Sequence, residues 1–221
     1  MPIYFNPFVV GSIVCINDFL YNILNIFTLN SREKSNILNL MHACFVSVFV
    51  GYEIIYGINS ADHKVYYDIT IGHFLYDLIN QEDINIFVAH HVISIYALVY
   101  FRISLDFANQ ARAIYFYSEV GNLAIYSTHL LKSCSKYKMI VVSAADLIKV
   151  YVIELCWYAY FRVFMLVDIL SKTKVNGCVL DILGFILLIA TTIWSIKLLR
   201  IIIHDVSDIF VKYICNKISL M

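Results

Sequence analysis

Seven stretches of this chain stay apolar for long enough to approach or exceed the thickness of a hydrocarbon core. That repeated length constrains the fold more than any other feature. A helical crossing needs about 20 mainly apolar residues. The stretches fall at roughly 7–29, 37–58, 66–80, 84–104, 112–132, 139–169 and 178–203. They are too long, and alternate too little, to be strands of a membrane barrel. The composition agrees: 61% of the 221 residues are hydrophobic and 14% charged, with a mean hydropathy of +0.77. A soluble domain is nearer about 45–50% apolar and about 25% charged. Both prolines lie within the first seven residues and there are only 7 glycines, so no flexible linker divides the chain. The expectation is an all-α, multipass transmembrane helix bundle of about seven spans around an intramembrane pocket.

Charge narrows the partners. The 16 basic and 16 acidic residues balance, so no global basic field invites nucleic acid. With alternating spans, one side collects Arg32, Lys34, Lys132, Lys136, Lys138, Lys197, Arg200, Lys212 and Lys217. The other holds Lys64, Arg102, Arg112, Lys172 and Lys174. The excess places the first side in the cytosol and the N-terminus outside. No basic residue precedes the first apolar run and no small-residue cleavage site follows it, so no signal peptide is expected. No lipidation or retention motif is visible. The six cysteines form no C-x-x-C pair and four lie in apolar runs, which reads as buried thiols acting as small hydrophobes.

Ionisable side chains inside a span cost about 2.5–3.5 kcal/mol each on insertion scales, so they face the bundle interior and often mark function. The second stretch carries His42 and Glu53, and the fourth His90 and His91. The third is short and polar, with Asp68, His73, Tyr76 and Asp77, and needs other helices around it. The fifth carries Glu119, Asn122 and His129; the sixth Asp146, Lys149, Glu154 and Arg162; the seventh Asp181. Even the first contains Asn17, Asp18, Asn22 and Asn25. At about 1.5 Å per residue, His42, His73, Asp77, His90 and His91 fall at one depth on three consecutive helices. Glu119 lies deeper. His73 and Asp77, at i and i+4, share a face, whereas His90 and His91 diverge by about 100°. Asp146 and Lys149, at i and i+3, suit pairing with each other. His63 and His204 lie outside the core stretches. A metal site of His42, His73, Asp77, His90 and His91 would suit the ligand types, but no H-x-x-H or H-E-x-x-H spacing supports one. No metal or resident cofactor is therefore expected. Serine-hydrolase, P-loop and dinucleotide-glycine signatures are absent.

The order of these polar signatures resembles the TLC (TRAM–LAG–CLN homology) domain family. The segment Ser35-Asn36-Ile37-Leu38-Asn39-Leu40-Met41-His42 is similar to the family's early serine–histidine signature. Gly72-His73-Phe74-Leu75-Tyr76-Asp77 resembles its G-Y-x-x-x-D segment, and Ala89-His90-His91-Val92 its paired histidines. Glu119-Val120-Gly121-Asn122 resembles its E-x-S-T/N segment, and Tyr160-Phe161-Arg162-Val163-Phe164 its F-F-x-x-R segment. The likeness runs over roughly residues 30–203. It implies a six-helix core over 31–205, one extra N-terminal transmembrane helix within 1–30 and a C-terminal tail at 206–221. It also implies residence in the endoplasmic reticulum or a related membrane and a role in lipid homeostasis, transport or sensing. The H-D-x-S-D segment of the ceramide synthases has no counterpart around Tyr117–Asn122, so the chain looks nearer the small TLC-domain proteins.

The leading expectation is binding of a lipid or fatty acyl chain, with His42, His73, Tyr76, Asp77, His90, His91, Glu119, Asn122 and Arg162 at the polar end of the pocket. A second is a ceramide-synthase-like N-acyltransferase, with His90 and His91 catalytic and acyl-CoA as co-substrate. A third is a membrane cargo receptor, or a proton-coupled carrier using Asp146 and Lys149. Membrane lipids are the expected partners; a homo-oligomer and a membrane-protein cargo stay open.

Overall fold

The computed structural model describes residues 5–27, 29–57, 63–80, 86–103, 108–172 and 178–218, and every regular element among them is helical. Asn6 caps α1 (Pro7–Leu24) by accepting from the amides of Phe8 and Val9, and Pro7 supplies the fixed φ that suits a first turn. Helix α2 (Ser31–Tyr56) opens on a reciprocal capping box. The Asn30 side chain takes the Glu33 amide at 2.9 Å while Glu33 takes the Asn30 amide at 3.0 Å. It stops at Gly57, whose φ of 64° an L side chain resists. Helices α3 (His63–Asn80), α4 (Ile86–Ile103) and α5 (Ala108–Lys136) follow. Ser143 caps α6 (Ala144–Tyr158). A π-helical segment, π1 (Ala159–Phe164), joins α6 directly to α7 (Met165–Lys172), making one 29-residue rod. The last helix, α8, spans Cys178–Ile218. Counting that rod once, the described chain is seven helices, each overlapping one of the seven apolar stretches.

Helix α5 ends in a Schellman motif. The Met139 amide reaches Cys134 O at 2.9 Å and the Lys138 amide reaches Ser135 O at 3.1 Å. Lys138 pays for that turn with a φ of 57°, in the left-handed region. Lys138→Gly should therefore raise stability by about 0.5–1 kcal/mol, relieving a left-handed strain of roughly 1–2 kcal/mol against glycine's greater entropy loss. Thermal unfolding in detergent checks this, and an unchanged midpoint would refute it.

Two boundaries differ from the sequence reading. The sixth helix starts at Ala144 instead of near 139, because 139–143 complete the turn after α5. The tail expected from 206 is instead helical to Ile218. No glycine or proline interrupts it, and Val206 and Ile209 pack onto the cluster formed by Tyr151, Tyr158, Leu198 and Ile202.

Helix directions alternate along the chain. Glu33 meets Lys136 and Glu53 meets Arg112, so α2 and α5 run antiparallel. Asp68 meets Arg102 and Asp77 meets His91, so α3 and α4 do too. Helix α1 lies parallel to α3, with Asn17 beside His73 and Tyr21 beside Tyr76. This contact is close because residue 72 is glycine: a Cβ there would sit 2.8 Å from Val10 O and 2.8 Å from Ile13 Cβ.

The distribution of polarity is inverted relative to a soluble protein. Phe8 is 80% exposed and Ile55 76%, while Asp68 is 1% and His73 2%. Pro7–Leu24, Ser31–Tyr56 and Ala144–Lys172 are each long and apolar enough to cross a membrane, which is consistent with a membrane protein. The cysteines follow this inversion. Cys15, Cys44, Cys156 and Cys215 are exposed and Cys134 is half-buried, all as free thiols. The expected burial fails for Cys15, Cys44 and Cys156 because the apolar runs they sit in face outward as well as inward; the side chain of Cys178 lies outside the described residues.

Candidate functional site

The inward polar groups form one linked cluster and one neighbouring chain. The cluster begins at His73 on α3. Asn17 Nδ2, from α1, donates to His73 Nδ1 at 3.2 Å, and His73 Nε2 donates to Asn39 Oδ1, from α2, at 2.7 Å. An imidazole that accepts at Nδ1 and donates at Nε2 is the neutral Nε2–H tautomer. The His42 ring lies flat on it, centroids 4.3 Å apart and planes 11° from parallel. His42 Nε2 bonds Thr70 Oγ1 at 3.1 Å, and Thr70 bonds Tyr115 Oη on α5. Asp77, one turn along from His73, carries an oxygen 4.0 Å from His73 Nε2 and 3.3 Å from His91 Nε2 on α4. The Phe74 ring meets the His91 ring edge-on at 4.9 Å and holds its orientation. Five helices thus meet through short polar contacts at the depth the sequence reading placed His42, His73, Asp77 and His91.

His90 diverges from His91 as the helical period requires; its described contacts are with the Phe74 and His91 rings. The neighbouring chain runs from α5 to π1. Asn122 Nδ2 donates to Glu119 Oε2 at 3.4 Å, and Arg162 Nη2 donates to Asn122 Oδ1 at 2.9 Å. Glu119 and Arg162 are buried. Tyr76 packs toward Tyr21 of α1 with its hydroxyl buried and unpartnered.

Asn17, Asn39, Thr70 and Tyr115 were not among the candidate residues. Asn17 and Asn39 could have been found as amides inside apolar runs; Thr70 and Tyr115 carry hydroxyls too common in membrane helices to stand out. Among the described residues, no group of three or more His, Cys, Asp or Glu side chains is placed to hold a metal. The ring nitrogens of His73 are taken by Asn17 and Asn39, and the stacked rings do not converge on a point.

The remaining charged candidates lie elsewhere. Asp146 and Lys149 pair at 3.0 Å on the exposed start of α6, as their spacing suggests, with Ser143 completing the cap. Glu154 is buried between helices. Lys132 reaches Asp205 on α8 at 2.5 Å, and Tyr151 donates to the same carboxylate. Glu53–Arg112 and Asp68–Arg102 form a second charged layer toward the opposite end of the bundle, at 3.7 and 2.9 Å. The side chains of His63 and Asp181 lie outside the described residues.

No family model, no curated protein and no solved structure matches the chain.

Proposed function

We propose that the chain is a multipass membrane protein of TLC type that crosses the bilayer seven times and binds a lipid or fatty acyl chain, with its polar end at the His73 cluster. The observation that carries this reading is the meeting of five helices through His42, His73, Asp77, His91 and their amide and hydroxyl partners inside an apolar exterior. Buried polar groups are costly unless they are paired, and a few convergent ones at the end of an apolar space suit an amphiphile. The alternating helix directions support seven crossings. Residence in the endoplasmic reticulum and action in lipid homeostasis, transport or sensing follow from the family resemblance.

Two measurements test it. Alkaline carbonate should leave the protein in the membrane pellet. Native mass spectrometry of the detergent-purified protein should show one lipid-sized adduct, lost or weakened in Asp77→Ala. Extraction into the supernatant, or the bare mass alone at every detergent concentration, would refute the reading.

One observation favours an enzymatic second reading. Asp77 beside His91 is the carboxylate–imidazole pairing that orients a general base. As an acyl-CoA-dependent N-acyltransferase, the protein would release CoA when given acyl-CoA and a sphingoid base, and His91→Ala would stop turnover while leaving folded protein.

A further inference from the structure

We propose that Arg162 is the receptor for the anionic head of the bound amphiphile, a carboxylate or phosphate at the end of a single apolar chain. The inference rests on the lipid-binding reading and names the chemistry that reading lacks.

Arg162 is more than nine-tenths buried. A guanidinium keeps its charge in proteins and offers five N–H donors. Here one donor serves a neutral partner, Asn122, at 2.9 Å, and Nε is buried with no acceptor. The Tyr158 ring lies 6.0 Å from the guanidinium carbon. None of the ion pairs among the described residues includes Arg162. The nearest link to a carboxylate passes through Asn122, whose amide NH₂ faces Glu119 while its carbonyl faces Arg162. Asn122 thus bridges the two charges, which attract each other with no direct ion pair between them among the described contacts. Among the described residues the other buried arginine, Arg112, has the Glu53 carboxylate at 3.7 Å, and the half-buried Arg102 has Asp68 at 2.9 Å. Buried charges are ordinarily paired in direct contact, and Arg162 has Glu119 only across Asn122, with its Nε donor left open.

The backbone is shaped to hold it there. Arg162 sits inside π1, and π-helical turns inside α-helices are rare and frequent at functional sites. Its stem lies across Gly121, where a Cβ would come within 2.6 Å of Arg162 Cγ. An oxyanion accepting from a guanidinium makes shorter, charge-assisted bonds, and Arg presents two parallel donors to a carboxylate or phosphate.

The test uses the full-length protein in detergent with three probes of one chain length: oleate, 1-oleoyl lysophosphatidate and oleyl alcohol. The wild type should bind at least one of the anions about tenfold or more tightly than the alcohol, as a charge-assisted hydrogen bond of about 1.5–3 kcal/mol requires. Tighter oleate marks a carboxylate ligand, tighter lysophosphatidate a phosphate. Arg162→Gln should bind oleyl alcohol as the wild type does and lose the preference. Should that variant aggregate, Gly121→Ala makes the same test by displacing the side chain, and the preference should fall. Equal binding of alcohol and anions by the wild type, or a preference that survives these changes, overturns the proposal while leaving lipid binding intact. Binding of none of the three overturns both.

Discussion

His73→Leu should lower the stability of the protein by about 2–4 kcal/mol. Leucine nearly matches the imidazole in volume, so no large cavity opens and the loss comes from polarity. The Asn17 amide and the Asn39 carbonyl lose their shared partner, and His42 loses the ring stacked on it. Interhelical hydrogen bonds in bilayer proteins average about 0.6 kcal/mol and reach about 1.7. A buried polar group left without a partner costs a further 1–3 kcal/mol or so. The second figure decides the result, because two amides are stranded at once. A double-mutant cycle of His73→Leu with Asn39→Leu separates the terms. The double variant should recover part of the loss, since both ends of one bond are then apolar. Thermal unfolding in detergent measures it. A loss below about 0.5 kcal/mol would mean that the cluster is not closed as described.

Gly72→Val should have the other large effect, through packing. The nearest obstacles to a side chain at 72 are Ile13 Cβ and the backbone carbonyl Val10 O, neither of which can swing away as the far end of a side chain can. Gly51 offers the contrast, since the atom its Cβ would meet is the Phe116 ring. Overpacking costs about 1–3 kcal/mol where neighbours can shift. Here the shift must be of α1 as a whole, which also breaks the Asn17–His73 bond. We expect a loss of at least about 3 kcal/mol. Amide hydrogen exchange should be faster in α1 than in the rest of the bundle. Wild-type exchange in α1 would refute the prediction.

The helices were legible because the apolar runs are long and few breakers interrupt them. That His42, His73, Asp77 and His91 share one level along the helices was legible too: alternating direction and a fixed rise per residue turn sequence number into height. Lateral neighbours were not. Nothing in the spacing says that α1 lies along α3, yet that adjacency brings Asn17 to His73. Nor does it say that Glu33 will meet Lys136, 103 residues on. Direction around a helix is recoverable from the 3.6-residue period only when one face is distinctly polar. In α1 and α2 the deciding residues are single asparagines. The π-helical turn left no trace in the sequence, and it is the turn that aims Arg162.

Helix α8 has 41 residues, about 60 Å of axis, against a hydrocarbon core of about 30 Å. That is about twice what one upright crossing would need. Asp205, gripped by Lys132 and Tyr151, fixes the direction of the remainder relative to α5 and α6. In mechanical terms the C-terminal end is a cantilever with a clamped root. A sideways displacement at its tip acts as a torque on the Lys132–Asp205–Tyr151 joint, and Lys132 passes it to α5, the helix that also carries Glu119 and Asn122.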